Sequence, residues 1–159
     1  MKTVLRSALA VAVVLILPGL ALAQMQPKAG PTESTTLAMV PAAKVIYQPL
    51  AIPGFDPGVK LAAINGDPNA ESGFYVIRLS FPAGYKFPAH WHPMAENLTV
   101  LQGELLLGMG NKTDPTKLTG YKVGSFLYLP GKMAHFGGAR GATVIQLHGQ
   151  APFKIELAK

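Results

Sequence analysis

The sequence predicts an all-β domain, a closed or sandwiched antiparallel architecture, and three observations carry that prediction. Short apolar runs follow one another from residue 44 to the C-terminus. The 17 Gly and 14 Pro of the chain break these runs at turn signals. No convincing amphipathic helix pattern lies among them. With 159 residues, 49% of them hydrophobic, the chain can bury one core but hardly two.

The N-terminal segment stands apart from that domain. Lys2 and Arg6 form a positive n-region, residues 9–20 are apolar with a break at Pro18 and Gly19, and Ala21-Leu22-Ala23 is a small-x-small cleavage site. Residues 1–23 therefore read as a secretory signal peptide, too short in its apolar stretch for a spanning helix. The expected mature chain starts at Gln24, is periplasmic or secreted, and keeps no stable membrane insertion. Residues 24–43 mix Pro, Ala, Thr and Ser without periodicity and read as a flexible leader. The β domain occupies 44–159.

Within that domain the expected strands are 44–47, 59–64, 74–81, 96–102, 104–109, 125–129, 142–148 and 153–157. Their punctuation is Asn65-Gly66-Asp67-Pro68, Pro82-Ala83-Gly84, Gln102-Gly103, the stretch 110–120 and Gly137-Gly138. A further piece of strand and turn is expected over 84–96, and another strand starts near His135.

Composition excludes several function classes. The chain has no Cys, so it carries neither a disulfide nor a lipid-attachment cysteine. Loss of Lys2 and Arg6 lowers a formal charge of +6 by two, and the remaining lysines are scattered rather than clustered with aromatics. That pattern gives a solvated surface and no nucleic-acid partner. There is no phosphate-binding GxxxxGK loop and no G-x-S-x-G nucleophile elbow.

The most informative stretch is 84–96, which packs His90, His92 and Glu96 into seven residues. Side chains alternate along a strand, so two histidines one residue apart share a face and their imidazoles can converge on one ion. Glu96, beyond the ladder-breaking Pro93, can swing back as an oxygen ligand. A fourth ligand must come from elsewhere. His135, just past the Pro130-Gly131 turn, is the candidate.

These residues resemble the cupin superfamily. Its first motif, G-x5-H-x-H-x3-E-x6-G, is matched by Gly84, His90, His92, Glu96 and Gly103. Its second, G-x5-P-x-G-x2-H-x3-N, is matched by Gly124, Pro130 and His135, with Lys132 in place of the glycine and Ala139 in place of the asparagine. The resemblance implies a double-stranded β-helix, the jelly-roll cupin barrel. It also implies that His90, His92, Glu96 and His135 bind one divalent metal inside it, with positions left open for water, dioxygen or substrate. Mn or Fe is favoured, with Zn, Ni, Co or Cu compatible with the donors. Members of the family often pair through sheet edges, so a homodimer is an expectation too.

Three further residues are candidates for facing a small-molecule ligand. Gln146 and His148 share one side of their strand, opposite Ile145 and Leu147, and could orient substrate or move protons if that side looks inward. Arg78 alternates with Ile77 and Leu79 and could reach an anionic group. The opposite register would leave all three on the outer surface. Trp91 should point away from the ligands, and Met94, Met109 and Met133 read as gap fillers rather than copper ligands. Two function classes follow: a metal-dependent enzyme of dioxygenase-, oxidase- or isomerase-like chemistry, and a non-catalytic metal- or ligand-binding module that serves as a sensor or store.

Overall fold

The structure is a computed structural model that describes residues 37–159. The signal peptide expected at 1–23 and the leader up to residue 36 lie outside the described residues. Residues 37–41 are exposed and irregular, and among the described residues no helix is long and apolar enough to cross a membrane.

The runs with clean period-two alternation form strands as expected, because each has one apolar side to bury. They are β2 (Lys60–Asn65), β3 (Phe74–Phe81), β5 (Glu96–Gln102), β6 (Glu104–Met109), β8 (Phe126–Leu129) and β10 (Thr143–Gln150). Five more strands complete the set: β1 (Gln48–Pro49), β4 (Lys86–Trp91), β7 (Thr119–Lys122), β9 (His135–Ala139) and β11 (Glu156–Leu157). One antiparallel sheet has the order β1-β2-β3-β10-β5-β8 and the other β11-β4-β9-β6-β7. The two face each other as a jelly roll, with the core between them.

Alternation fixes what lies inside. Tyr75, Ile77, Leu79 and Phe81 of β3 are buried, as are Ile145 and Leu147 of β10, Leu98 and Val100 of β5, and Leu105 and Leu107 of β6. Ile77 has no exposed surface. Truncating such a side chain to Ala costs about 2–5 kcal/mol, from lost transfer energy and the cavity left behind.

Several boundaries depart from expectation. A 3-10 turn at Ala42–Lys44 precedes the short β1, so the strand expected at 44–47 is displaced toward Pro49. The stretch 110–120 holds a second 3-10 turn, Pro115–Lys117, and then the start of β7. Gly137-Gly138 is not a turn but the middle of β9. A Cβ at Gly137 would strike the Leu106 carbonyl oxygen, and one at Gly138 the Tyr85 carbonyl oxygen. Glycine is there because neighbouring backbone approaches closely, a strand use that the turn rule does not distinguish.

Candidate metal centre

The centre is built where β4 and β9 pair. His90 of β4 lies opposite His135 of β9, whereas Phe87 lies opposite Gly137, so three residues of β4 span two of β9. This β-bulge decides the site. Strict alternation would send Phe87 and His90 to opposite faces; the extra residue lets both line the same cavity. His92 follows just past the end of β4, and Glu96 opens β5 on the inward side shared with Leu98 and Val100.

All four side chains are buried: His90, His92, Glu96 and His135. One ring nitrogen from each of the three histidines lies within 4.8 Å of the others. Glu96 stands beside this triad, with Oε2 at 3.3 Å from His92 Nε2 and 3.8 Å from His135 Nε2. Each histidine also has its Nδ1 against a backbone carbonyl: Pro88 at 2.9 Å for His90, Lys154 at 2.7 Å for His92, and Met133 at 3.1 Å for His135. A carbonyl can only accept, so each Nδ1 carries the proton and each Nε2 keeps a lone pair.

Burial sets the protonation of the metal-free site. It lowers His90 to about 4, helped by nearby His135 and opposed by the Pro88 carbonyl. It lowers His92 to about 3, helped by His90 and His135 and opposed by the Lys154 carbonyl. His135 is lowered by burial, against the Met133 carbonyl. Glu96 is pushed up to about 8 by burial. At neutral pH the short His92–Glu96 contact is therefore a neutral acid beside a neutral imidazole rather than an ion pair. Tyr75, inward on β3, is also raised, by burial and then by the charge of Glu96.

This donor set fits a divalent cation. Glu96 Oε1 is buried with no hydrogen-bond partner among the described residues, a costly state for a carboxyl oxygen that a cation would relieve. Three neutral nitrogen donors and one carboxylate are what such an ion takes, and carbonyl-anchored Nδ1 groups fix ligand orientation.

The cavity around the donors is otherwise apolar. Both sheets contribute to it, and two segments outside the strands cover it: Ile52 and Phe55 before β2, and Phe153 and Ile155 before β11. Phe55 meets His90 edge-on at 5.1 Å, and Phe153 stacks on His92 at 5.2 Å. Neither aromatic stood out in the sequence. Phe55 sits among turn residues without periodicity, and the Lys154 contact is made by backbone, which no residue type announces.

Arg78, Gln146 and His148 are a correction. Their strands bury Ile77, Leu79, Ile145 and Leu147 toward the core, so by parity the three lie on the outer side of the sheet and none lines the cavity. There Arg78 Nε donates to Gln146 Oε1 at 3.1 Å, and His148 packs against Phe74 with ring centroids 5.8 Å apart. Trp91 does not line the cavity either.

The departures from the second motif have local consequences. Lys132 adopts φ 66°, the left-handed conformation that favours glycine, and its N–H donates to the His92 carbonyl at 2.7 Å. The turn is thus kept, at some strain. Ala139 is buried and bonded through its backbone to Gly84 and Tyr85, so the position carries no side-chain hydrogen bond.

No protein-family profile matches the chain, and no curated protein matches it in sequence. Solved structures do. The polyketide cyclase RemF from Streptomyces resistomycificus is similar with a TM-score of 0.62 and 15% identity, over 78% of this chain and 87% of that one. A cupin 2 conserved barrel domain protein from Rhodopseudomonas palustris gives 0.57 and 14%, over 77% and 86%. Salicylate 1,2-dioxygenase from Pseudoaminobacter salicylatoxidans gives 0.51 and 15%, over 64% of this chain and 29% of that larger one. At these identities the likeness is one of fold: the barrel is a cupin barrel.

Proposed function

We propose that this cupin barrel is an exported, metal-dependent protein that holds one divalent ion on His90, His92, Glu96 and His135, and binds and converts a small oxygenated organic molecule there. The observation that carries the reading is the convergence of three Nε2 lone pairs beside a buried carboxyl oxygen without a partner. A divalent ion, with Mn or Fe favoured and Zn, Ni, Co or Cu within the range of the donors, would supply Lewis-acid polarisation of a substrate oxygen and, where redox active, electron exchange.

The chain's own residues do the rest. Carbonyls of Pro88, Lys154 and Met133 hold the three rings in one tautomer and orientation. Phe55 and Phe153 cover the donors and keep bulk water from them, which strengthens every electrostatic interaction inside. Export is supported by the first 23 residues of the sequence, and pairing of two chains by the exposed Phe126 and Tyr128 on the edge strand β8.

A second reading, binding without turnover, is favoured by one observation. Among the described residues that line the cavity, Tyr85 is the only titratable side chain apart from the four donors, and its hydroxyl is engaged with the Asp56 carbonyl at 2.6 Å. The cyclase and the dioxygenase of the same fold favour the enzymatic reading by analogy alone.

The test is elemental mass spectrometry of the chain from Gln24, purified without chelators, beside His92→Ala. Near-stoichiometric Fe, Mn, Ni or Cu that is lost in the variant supports the first reading and directs oxygen-consumption screens. Zn directs work to non-redox chemistry or sensing. A chain that cannot be loaded with any of these ions overturns the metal reading.

A further inference from the structure

The stretch between β1 and β2 returns almost to where it leaves. Leu50 N–H donates to the Val59 carbonyl at 3.0 Å, and this bond closes a loop over residues 51–58. Pro-Gly occurs twice inside it. At Ile52-Pro53-Gly54-Phe55, the Phe55 N–H donates to the Ile52 carbonyl at 3.1 Å and Gly54 has φ 81°, the pattern of a type II turn. At Pro57-Gly58, the proline ring fixes one φ and the glycine takes φ 120°. The segment is thereby closed at its base and stiff inside, a compact Ω-loop.

Its hold on the barrel is slight. All of 51–58 except Ile52 and Phe55 is exposed. These two reach into the donor cavity, where Phe55 meets His90, and Gly54 lies against the Leu157 side chain. Elsewhere the loop arches over a hollow of about 360 Å³ lined only by residues between Pro49 and Lys60. Among the described residues, one hydrogen bond crosses from the barrel to the loop: the Tyr85 hydroxyl donates to the Asp56 carbonyl at 2.6 Å. Tyr85 itself is fixed. It is buried, its ring packs on Phe81 at 5.5 Å, and its carbonyl accepts from the Ala139 N–H at 2.9 Å.

A stiff segment with so few contacts opens without the rest of the fold, because opening exposes little apolar surface and breaks one bond to the barrel. Lifted, it carries Ile52 and Phe55 out of the cavity and bares the His90 side of the donors. Closed, the cavity of about 50 Å³ has room for roughly three to five water-sized groups. We propose that residues 51–58 are a lid that swings off the barrel as one piece about its two ends and admits molecules to the donor chamber, with the Tyr85 hydroxyl as its latch. The lid stands whether or not the donors hold an ion.

Thiol labelling tests it on the chain from Gln24, in chelator. The chain has no Cys, so one introduced thiol reports without background. Val59 is 2% exposed and lines both the cavity and the hollow, so a reagent reaches Val59→Cys only when the lid lifts. Val100, 1% exposed on β5, lines neither, and Val100→Cys reports global unfolding. Val59→Cys should label at least about a hundredfold faster than Val100→Cys and with little dependence on added urea. Tyr85→Phe, which keeps the ring, should raise the Val59→Cys rate by about three- to tenfold, the effect of one lost hydrogen bond. Equal rates with the same steep urea dependence would mean that the loop leaves only when the whole chain unfolds, which overturns the lid and leaves the metal reading standing. A Val59→Cys rate unchanged by Tyr85→Phe overturns the latch. Leu79→Cys, a second lining position on β3, carries the same comparison if Val59→Cys does not fold.

Discussion

His90 and His135 face each other across the β4–β9 ladder with ring centroids 4.3 Å apart, and each donates Nδ1–H to the carbonyl two residues earlier in its own chain, Pro88 and Met133. The same local device on two paired strands aims two Nε2 atoms at one point. Strand geometry thus pre-positions two of the four candidate donors. With His92 and Glu96 the set is complete, so one divalent ion per chain is expected by elemental analysis. His92→Ala should weaken binding by well over about tenfold. It should also remove the ion's contribution to stability, about 2.7 kcal/mol at a free concentration one hundred times Kd. His148→Ala, outside the cavity, should leave occupancy unchanged; equal loss in both variants would refute the ligand assignment.

His92 is held differently, by the Lys154 carbonyl 62 residues further along the chain, and its ring is stacked on Phe153. The C-terminal segment is therefore part of the site's support. Removing residues 152–159 should lower metal affinity by about 10–100-fold, while Lys154→Ala, which keeps the carbonyl, should change it little. Competition with a chromophoric chelator measures both. An equal effect of the two changes would assign the role to the lysine side chain instead.

Legibility in the sequence followed physical range. Strands β3, β5 and β6 coincide with their apolar alternation because that pattern is local. The grouping of His90, His92 and Glu96 was readable because their spacing is local too, whereas His135 was reached only through the resemblance to the second motif. What could not be read depends on distant partners. The bulge between Phe87 and His90 exists only against β9, and without it the parity of His90 is wrong. The glycine pair in β9 looks like a turn until Leu106 and Tyr85 are placed beside it. Arg78, Gln146 and His148 had two registers open, and only the pairing of β10 with β3 and β5 chose the outer one.

Lys132 offers a test of strain next to the site. Its φ of 66° costs roughly 1–2 kcal/mol for a residue with a Cβ, and glycine's greater unfolded-state entropy returns about 0.5–1 kcal/mol of that. Lys132→Gly should therefore gain up to about 1 kcal/mol in denaturant melts of the metal-free chain. Lys132→Val should lose about 1 kcal/mol or more, since β-branching disfavours positive φ further. A destabilised glycine variant would mean that the lysine side chain contributes more than the strain costs.

Protonation of the buried carboxyl makes metal uptake pH-dependent in a direction that can be worked out. Burial raises Glu96 from 4.5 to about 8, so below that pH the metal-free folded chain holds a proton that an ion must displace. His90 at about 4 and His92 at about 3 are already neutral above pH 5 and add nothing there. Metal affinity should rise by about one decade per pH unit from pH 6 toward 8 and then level off. Stability of the metal-free chain follows the same groups. The raised Glu96 contributes stability that is fully present below 4.5 and lost as pH rises through 8. The lowered histidines contribute stability present above 6.5 and lost as pH falls toward 4 and 3. The metal-free chain should accordingly be most stable near pH 6.5, and Glu96→Gln should abolish both the decline above it and the pH slope of metal affinity. A slope that survives in Glu96→Gln would place the displaced proton on a histidine.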